Sequence, residues 1–78
     1  ETPEKQMLRR FDGDTVRKLV AALAEPFRET FVLREIQNLS YREIADVAAV
    51  PVGTVMSRLA RARAMLRSAW LAEQEQAK

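Results

Sequence analysis

Residues 40–59, S-Y-R-E-I-A-D-V-A-A-V-P-V-G-T-V-M-S-R-L, contain a start signal and a stop signal for a short helix, and then the start of another. Ser40 and Glu43 have the spacing of a capping box, in which both side chains bind free backbone N–H groups of the first turn. This predicts a helix over 41–48 with four inward residues: Ile44, Ala45, Val47 and Ala48. Pro51 ends that helix, because a proline disfavours the helical conformation of the residue before it.

The same stretch has the spacing of a helix-turn-helix motif, with a second helix that begins between Pro51 and Thr54. Ala45 is small where the first helix must approach its partner closely. The turn falls four residues later, at Ala49, and Val55 packs the second helix onto the first. Many such motifs have Gly at the turn. If the turn needs a positive φ, an alanine there costs about 1 kcal/mol; otherwise the turn is right-handed.

Two further helices are predicted before the motif. The first starts after Asp12 or Asp14, either of which is a suitable cap, and its apolar residues recur with helical spacing: Val16, Leu19, Val20 and Leu23. Pro26 ends this helix and suits the first position of the next, which covers about 26–37. The inward face of that second helix holds Phe27, Phe31, Val32, Leu33 and Ile36. Asn38 is a plausible left-handed terminator.

The last helix continues to about Ala72, and its inner stripe is Val55, Leu59, Ala62, Leu66 and then Ala69 or Trp70. We therefore expect an all-α fold: a compact four-helix domain that contains a helix-turn-helix, in the winged-helix-like class without a wing. We assign 1–11 to a linker from a preceding region, 12–72 to the domain and 73–78 to a frayed C-terminus. Such a start suggests a piece of a longer protein.

The composition excludes several classes of function. The 78 residues allow one small domain, and the chain has no Cys and no His. Disulfides, thiolate metal sites and the usual neutral-pH general base are therefore absent, so we expect no enzyme, metal or other cofactor. Two glycines cannot form a Gly-rich phosphate loop, and no apolar run is long enough for a membrane span. We expect a cytoplasmic domain with neither a membrane nor a small-molecule substrate as partner.

Positive charge is concentrated locally, although the net charge is only +2. No acidic residue lies between Asp46 and Glu73. Helical spacing predicts four polar residues on one face, opposite the apolar stripe, namely Thr54, Ser57, Arg58 and Arg61. Either this face is merely solvated, or it contacts a polyanion. In a helix-turn-helix the second helix enters the major groove of DNA, where Arg can bind guanine and Ser or Thr can bind bases or phosphates. Arg63 and Arg67 lie further along, where phosphate contacts are expected.

Two motifs carry a resemblance to a known family. L-S-Y-R-E-I-A at 39–45 and V-P-V-G-T-V-M-S-R-L-A-R-A-R at 50–63 resemble region 4, the C-terminal domain, of bacterial sigma factors of the extracytoplasmic-function group. The similarity covers about residues 14–68. Proteins of this family are dissociable subunits of RNA polymerase. The resemblance implies that the last helix recognises the promoter −35 element and that an apolar surface docks on the flap of the polymerase β subunit. It also implies a further domain, region 2, for the −10 element, and control by an anti-sigma factor.

The resemblance also assigns roles to individual positions. Thr54, Ser57, Arg58 and Arg61 match residues that face DNA bases in the family, and the DNA-backbone contacts are assigned to Arg42, Arg63 and Arg67. Met56 is Lys or Arg in many members, so one DNA contact differs here. The expected surface for the flap or an anti-sigma factor comprises Leu33, Ile36, Leu39 and Trp70, although core packing is the alternative for Trp70.

Two other interpretations remain open from the sequence. A helix-turn-helix output domain of a response regulator has a similar four-helix plan, but it needs a dimer interface and no flap contact. A basic helical module that binds an acidic protein partner would also use the arginine-rich helix. A steep salt dependence of binding to duplex DNA would count against the second interpretation.

Overall fold

The computed structural model of the chain describes residues 13–76, and every regular element in that range is helical. The elements are α1 (Gly13–Ala21), α2 (Glu25–Phe31), a π-helical turn (Val32–Ile36) that continues α2, α3 (Tyr41–Ala48) and α4 (Val52–Gln76). The predicted all-α, four-helix architecture with a helix-turn-helix is therefore confirmed. The predicted linker over 1–11 and the possible cap at Asp12 lie outside the described residues.

The junction between α1 and α2 differs slightly from the prediction. Ala24 is the extended residue, with φ −60° and ψ 149°, and Pro26 is the second residue of α2 rather than the first. Both positions suit proline, because the first N–H groups of a helix have no partner within the helix. Asp14 lies inside α1 rather than ahead of it. The buried hydroxyl of Thr30 donates to the Pro26 carbonyl at 2.8 Å, so this polar side chain is hydrogen-bonded within α2.

The end of α2 widens into a π-helical turn that the sequence did not predict. Asn38 follows it with φ 60°, which confirms the left-handed terminator. The Leu39 N–H donates to the Leu33 carbonyl at 3.0 Å and closes the turn. Because the π turn inserts one extra residue, the inward face shifts, and Ile36 is 62% exposed instead of buried. The assignment of Ile36 to the core face is therefore wrong.

Helix α3 begins with the predicted capping box. The Ser40 N–H donates to Glu43 Oε1 at 2.8 Å, and the Glu43 N–H donates to Ser40 Oγ at 3.1 Å. The donation from the Ser40 N–H, together with the Ser40 hydroxyl, lowers the pKa of the Glu43 carboxyl. Ile44 and Ala45 are buried as predicted, whereas Val47 is 61% exposed. Its inward assignment is wrong, because the buried side of this short helix is taken by Ile44 and Ala45.

The turn of the helix-turn-helix is left-handed. Ala49 has φ 57° and ψ 46°, so the positive-φ alternative holds in this structure. The Val50 N–H donates to the Ala45 carbonyl at 3.0 Å and ties the turn back onto α3. Pro51 precedes α4, and its carbonyl accepts from the N–H groups of Thr54 and Val55. The chain therefore accepts a strained alanine where glycine would be unstrained.

Helix α4 contributes buried residues to two separate apolar clusters. Its N-terminal half packs on α3 through Val55 and Leu59, together with Ile44 and Ala45. Its C-terminal half packs on α1 and α2, in a cluster of Val20, Leu23, Phe31, Ala62, Leu66 and Trp70. The predicted inner stripe is confirmed, with Trp70 rather than Ala69 as its last member. The helix continues to Gln76, four residues beyond the predicted end at Ala72, because Glu and Gln are good helix formers.

Candidate nucleic-acid interface

The first three turns of α4 expose a continuous row of side chains to solvent. Val55 and Leu59 are 0% and 1% exposed and pack against α3. The far side of the helix is exposed at positions spaced three and four apart: Gly53, Met56, Ser57, Ala60 and Arg61. This spacing places all five on one helix face. We refer to these five residues as the exposed strip.

The four predicted base-reading residues divide between the exposed strip and its margin. Ser57 and Arg61 belong to the strip, whereas Thr54 and Arg58 are half-buried. Each half-buried residue directly precedes a buried one, and a single step along a helix turns by only about 100°. The prediction that all four lie on one face opposite the apolar stripe is therefore wrong for Thr54 and Arg58. The Arg58 guanidinium is carried on a long stem, so a position at the margin does not prevent it from reaching a groove.

The spacing of the polar residues missed three members of the exposed strip, because Gly53, Met56 and Ala60 carry no charge. The family resemblance had marked one of them, Met56, as a position where a DNA contact differs. The signal that would have found them is the apolar stripe itself, since the residues about half a turn away from Val55 and Leu59 must face solvent. A search for polar residues alone therefore moved the predicted face by about a quarter of a turn.

Gly53 has no structural reason to be glycine among the described residues. Its φ is not positive, and a Cβ built at this position would meet no heavy atom within 4 Å. Glycine in a helix is destabilising by about 0.5–1 kcal/mol relative to alanine. One use of a glycine is to let the backbone lie close to a ligand. At Gly53 the first turn of α4 has no side chain that would keep its backbone away from a ligand.

Four arginines of α3 and α4 are not neutralised by the described acids. Within residues 13–76, no ion pair involves Arg42, Arg58, Arg61 or Arg67. Arg42 is exposed in the first turn of α3, and Arg67 is exposed further along α4. Both are therefore available for the predicted contacts to phosphate.

Arg63 is committed to a contact within the protein. Its Nη2 donates to Glu35 Oε1 at 2.7 Å, and both side chains are partly buried. Two helix positions correspond to about 200°, so Arg63 also points away from Arg61. These observations count against the predicted DNA-backbone contact of Arg63. The ion pair instead joins α4 to the π-helical turn.

Arg34, a second charged residue of the π-helical turn, contacts the start of α3 and the loop before it. Its Nη1 donates to the Leu39 carbonyl at 2.9 Å, and its guanidinium lies 4.9 Å from the centroid of the Tyr41 ring. A cation over an aromatic face is attracted by the ring quadrupole. Arg34 and Glu35 therefore hold the turn against the first turn of α3 and the middle of α4, and so help to set the position of the helix-turn-helix on α2.

The predicted partner surface is only partly exposed. Ile36 is 62% exposed. Leu33 and Leu39 are half-buried against the cluster that joins α3 to the N-terminal half of α4. Trp70 is 7% exposed within the cluster that joins α1 and α2 to the C-terminal half of α4. The core alternative for Trp70 is therefore correct, and its place on the partner surface is wrong. Ile36 is the one predicted member that presents a large apolar side chain to solvent.

Comparison with known proteins identifies the family. The family model described as "Sigma-70, region 4" matches residues 14–66. The chain belongs to the sigma-70 region 4 family. It is a helix-turn-helix DNA-binding domain of a sigma factor, and the arginine-bearing helix α4 is the second helix of that motif.

Curated relatives of this region 4 domain are sigma factors. The chain is 48% identical over 63 residues to the RNA polymerase sigma-H factor of Pseudomonas aeruginosa, covering 81% of this chain and 33% of that protein. It is 40% identical over 68 residues to the ECF RNA polymerase sigma-E factor of Haemophilus influenzae, covering 87% and 36%. The sigma-E factor of Escherichia coli K12 is 44% identical over 61 residues, covering 78% and 32%. The chain thus spans about a third of the length of these relatives.

Residues 13–76 contain no cluster of three or more His, Cys, Asp or Glu side chains with the arrangement of a metal site. No helix within the same range has the length and apolar character needed to cross a membrane.

Proposed function

We propose that this domain recognises the −35 element of a promoter by placing the exposed strip of α4 in the major groove. The observation that carries the proposal is the strip itself: Ser57 and Arg61 stand on the outer face of the second helix of a helix-turn-helix. The N-terminal residues of such a helix contact base edges. Arg binds the O6 and N7 atoms of guanine at two points, and Ser bonds either a base or a phosphate.

Arg61 supplies base choice in this proposal, and Arg67 supplies phosphate affinity with Arg42. Arg58 and Thr54 stand at the margin of the strip, where they contact the groove wall or the nearer phosphates. The small side chains of Gly53 and Ala60 let the helix approach the groove floor closely. The acid-free stretch between Asp46 and Glu73 favours this orientation, because a phosphate backbone attracts a surface without nearby carboxylates.

A matched pair of variants tests the assignment. Arg61→Ala should weaken binding to a cognate duplex by about 1–3 kcal/mol and relax the preference at one base pair. Arg67→Ala should weaken all duplexes about equally and reduce the slope of log K against log salt by about one. Both are measured by fluorescence anisotropy against a cognate and a scrambled duplex over a salt series. Unchanged discrimination in Arg61→Ala would show that α4 does not read bases through this residue.

We further propose that the domain docks on the β-flap of RNA polymerase through the surface around Ile36, with Leu33 and Leu39 beside it. The relatives are RNA polymerase sigma factors, and Ile36 presents a large, 62% exposed apolar side chain on the π-helical turn that also carries Leu33. The same surface is our candidate for an anti-sigma factor. In this proposal the domain acts in the cytoplasm, together with polymerase.

Pull-down with an isolated β-flap fragment tests this second contact. Wild type should bind saturably, and Ile36→Asp should lose binding because a charge would be desolvated in an apolar contact. Gln37→Asp is the matched control, since it adds the same charge at the next, exposed position. Equal binding by Ile36→Asp and wild type would place the flap contact elsewhere. No binding by any variant, with DNA still bound, would favour a stand-alone regulator such as a response-regulator output domain.

A further inference from the structure

Met56 is the one large apolar side chain on the exposed strip. It is 54% exposed and belongs to neither apolar cluster of the domain. The other members of the strip are small or polar: Gly53, Ser57, Ala60 and Arg61. The long thioether side chain of Met56 is not needed for packing within the domain. It is therefore available to contact an apolar group outside the protein.

The major groove offers one such group. Base edges there are lined with hydrogen-bond donors and acceptors, and the C5-methyl of thymine is their apolar feature. Met56 directly precedes Ser57 and lies about 1.4 turns before Arg61 on the exposed strip, so a base pair near theirs is within its range. Methionine is unbranched and has three rotatable bonds, which lets its end adapt to a methyl group beside the polar contacts.

We propose that Met56 reads the 5-methyl group of a thymine in the major groove and so contributes to the base preference of this domain. The inference rests on the proposed placement of the exposed strip in DNA. It adds an apolar contact of defined chemistry to the polar contacts assigned to Ser57 and Arg61. Uracil pairs with adenine as thymine does but lacks the methyl, so exchange of the two bases isolates this contact.

The experiment is a double-mutant cycle in which the Met56 side chain and one thymine methyl group are removed singly and together. A duplex is first selected from a random pool with the wild-type chain, and each thymine is then replaced singly by deoxyuridine. At one position the replacement should weaken wild-type binding about fourfold, the loss expected for one buried methyl group. Met56→Ala should bind the thymine and uracil duplexes equally, and both as weakly as wild type binds the uracil form.

Two control variants locate the effect. Met65→Ala removes a methionine that is 38% exposed two and a half turns further along α4, and it should keep the fourfold difference. Val52→Ala removes an apolar side chain, also 38% exposed, one turn before Met56, and it should keep the difference as well. Thermal unfolding of Met56→Ala should match wild type, since the side chain is more than half exposed.

The possible outcomes separate this inference from the function on which it rests. If no thymine is sensitive to methyl removal, or if Met56→Ala retains the sensitivity, the Met56 contact is refuted, while selection of a duplex still supports DNA reading. Loss of the sensitivity in Val52→Ala alone would assign the contact to Val52 and overturn the inference. If no duplex is enriched over scrambled DNA, both the inference and the proposed function fail.

Discussion

Replacement of Ala49 by glycine should stabilise the domain, because the turn of the helix-turn-helix holds this alanine in the left-handed region. The backbone has φ 57° and ψ 46° there, and a left-handed conformation costs a residue with a Cβ about 1–2 kcal/mol. Glycine also widens the unfolded ensemble, which offsets about 0.4–1 kcal/mol of that gain. Ala49 is exposed, so removal of its Cβ loses little apolar burial. The difference between the midpoints of these two ranges is a net gain of about 0.8 kcal/mol.

Thermal unfolding followed by circular dichroism measures this gain. For a domain of this size about 1 kcal/mol corresponds to a change of about 4–8 °C in Tm, so an increase of about 2–8 °C is expected. The matched control is Ala60→Gly, the same substitution at an exposed position inside α4 where φ is not positive. It should lower stability by about 1 kcal/mol. If both substitutions lowered Tm by similar amounts, the turn would not be left-handed in solution, and the reasoning would be refuted.

Three further predictions concern α4 and its supports. Gly53→Ala should raise stability by about 0.5 kcal/mol, because the added Cβ meets no neighbour. The same substitution should weaken binding to the selected duplex, and unchanged affinity would contradict close approach of the backbone to DNA. Arg63→Ala should lower stability by about 0.2–1 kcal/mol, as expected for a partly exposed ion pair, and leave the salt slope of DNA binding unchanged; a slope reduced as in Arg67→Ala would restore its backbone role. The Glu43 carboxylate has a lowered pKa, so its contribution to stability is present above its ordinary pKa of 4.5 and is lost as pH falls through the lowered value. The difference in Tm between wild type and Glu43→Gln should therefore shrink in acid, and a constant difference across that range would argue against the capping carboxylate.

Local signals made much of the fold predictable from sequence. The Ser40 and Glu43 pair, the proline at 51 and the left-handed Asn38 each act within a few residues, and each marks a helix boundary in the structure. The apolar stripe of α4 is periodic over four turns, so its buried members were also predictable. These features depend on backbone capping and helical spacing, which short segments specify by themselves.

The errors have a different origin. The π-helical turn adds one residue to the end of a helix, and no residue type in the sequence marks it. As a result Ile36 faces solvent instead of the predicted core. The exposure of Val47 and the burial of Trp70 depend on which elements pack against them, and this is decided by tertiary contacts. The ion pair of Arg63 and Glu35 joins residues that are 28 positions apart in the chain, so no local sequence pattern predicts it. Charge in the sequence alone therefore could not show that Arg63 is paired within the protein.

The exposed strip of α4 was predicted only in part from the sequence. Ser57 and Arg61 were found because they are polar and lie at helical spacing in the motif. Gly53 was missed and Met56 was marked only by the family resemblance, since neither side chain carries a charge. The burial of Val55 and Leu59 nevertheless places both residues on the outer face. The outer face of a helix is thus better predicted from the position of the buried stripe than from a list of basic residues.

Methylation interference tests the central proposal, that the exposed strip of α4 lies in the major groove, most directly. Dimethyl sulfate modifies guanine N7, which lies in the major groove, and adenine N3, which lies in the minor groove. A selected duplex is methylated sparsely, mixed with the chain, and the bound and free fractions are compared base by base. The proposal predicts that guanine N7 methylation within the site is excluded from the bound fraction and that Arg61→Ala relieves this at one guanine. Exclusion confined to adenine N3, or exclusion at neither base, would contradict it.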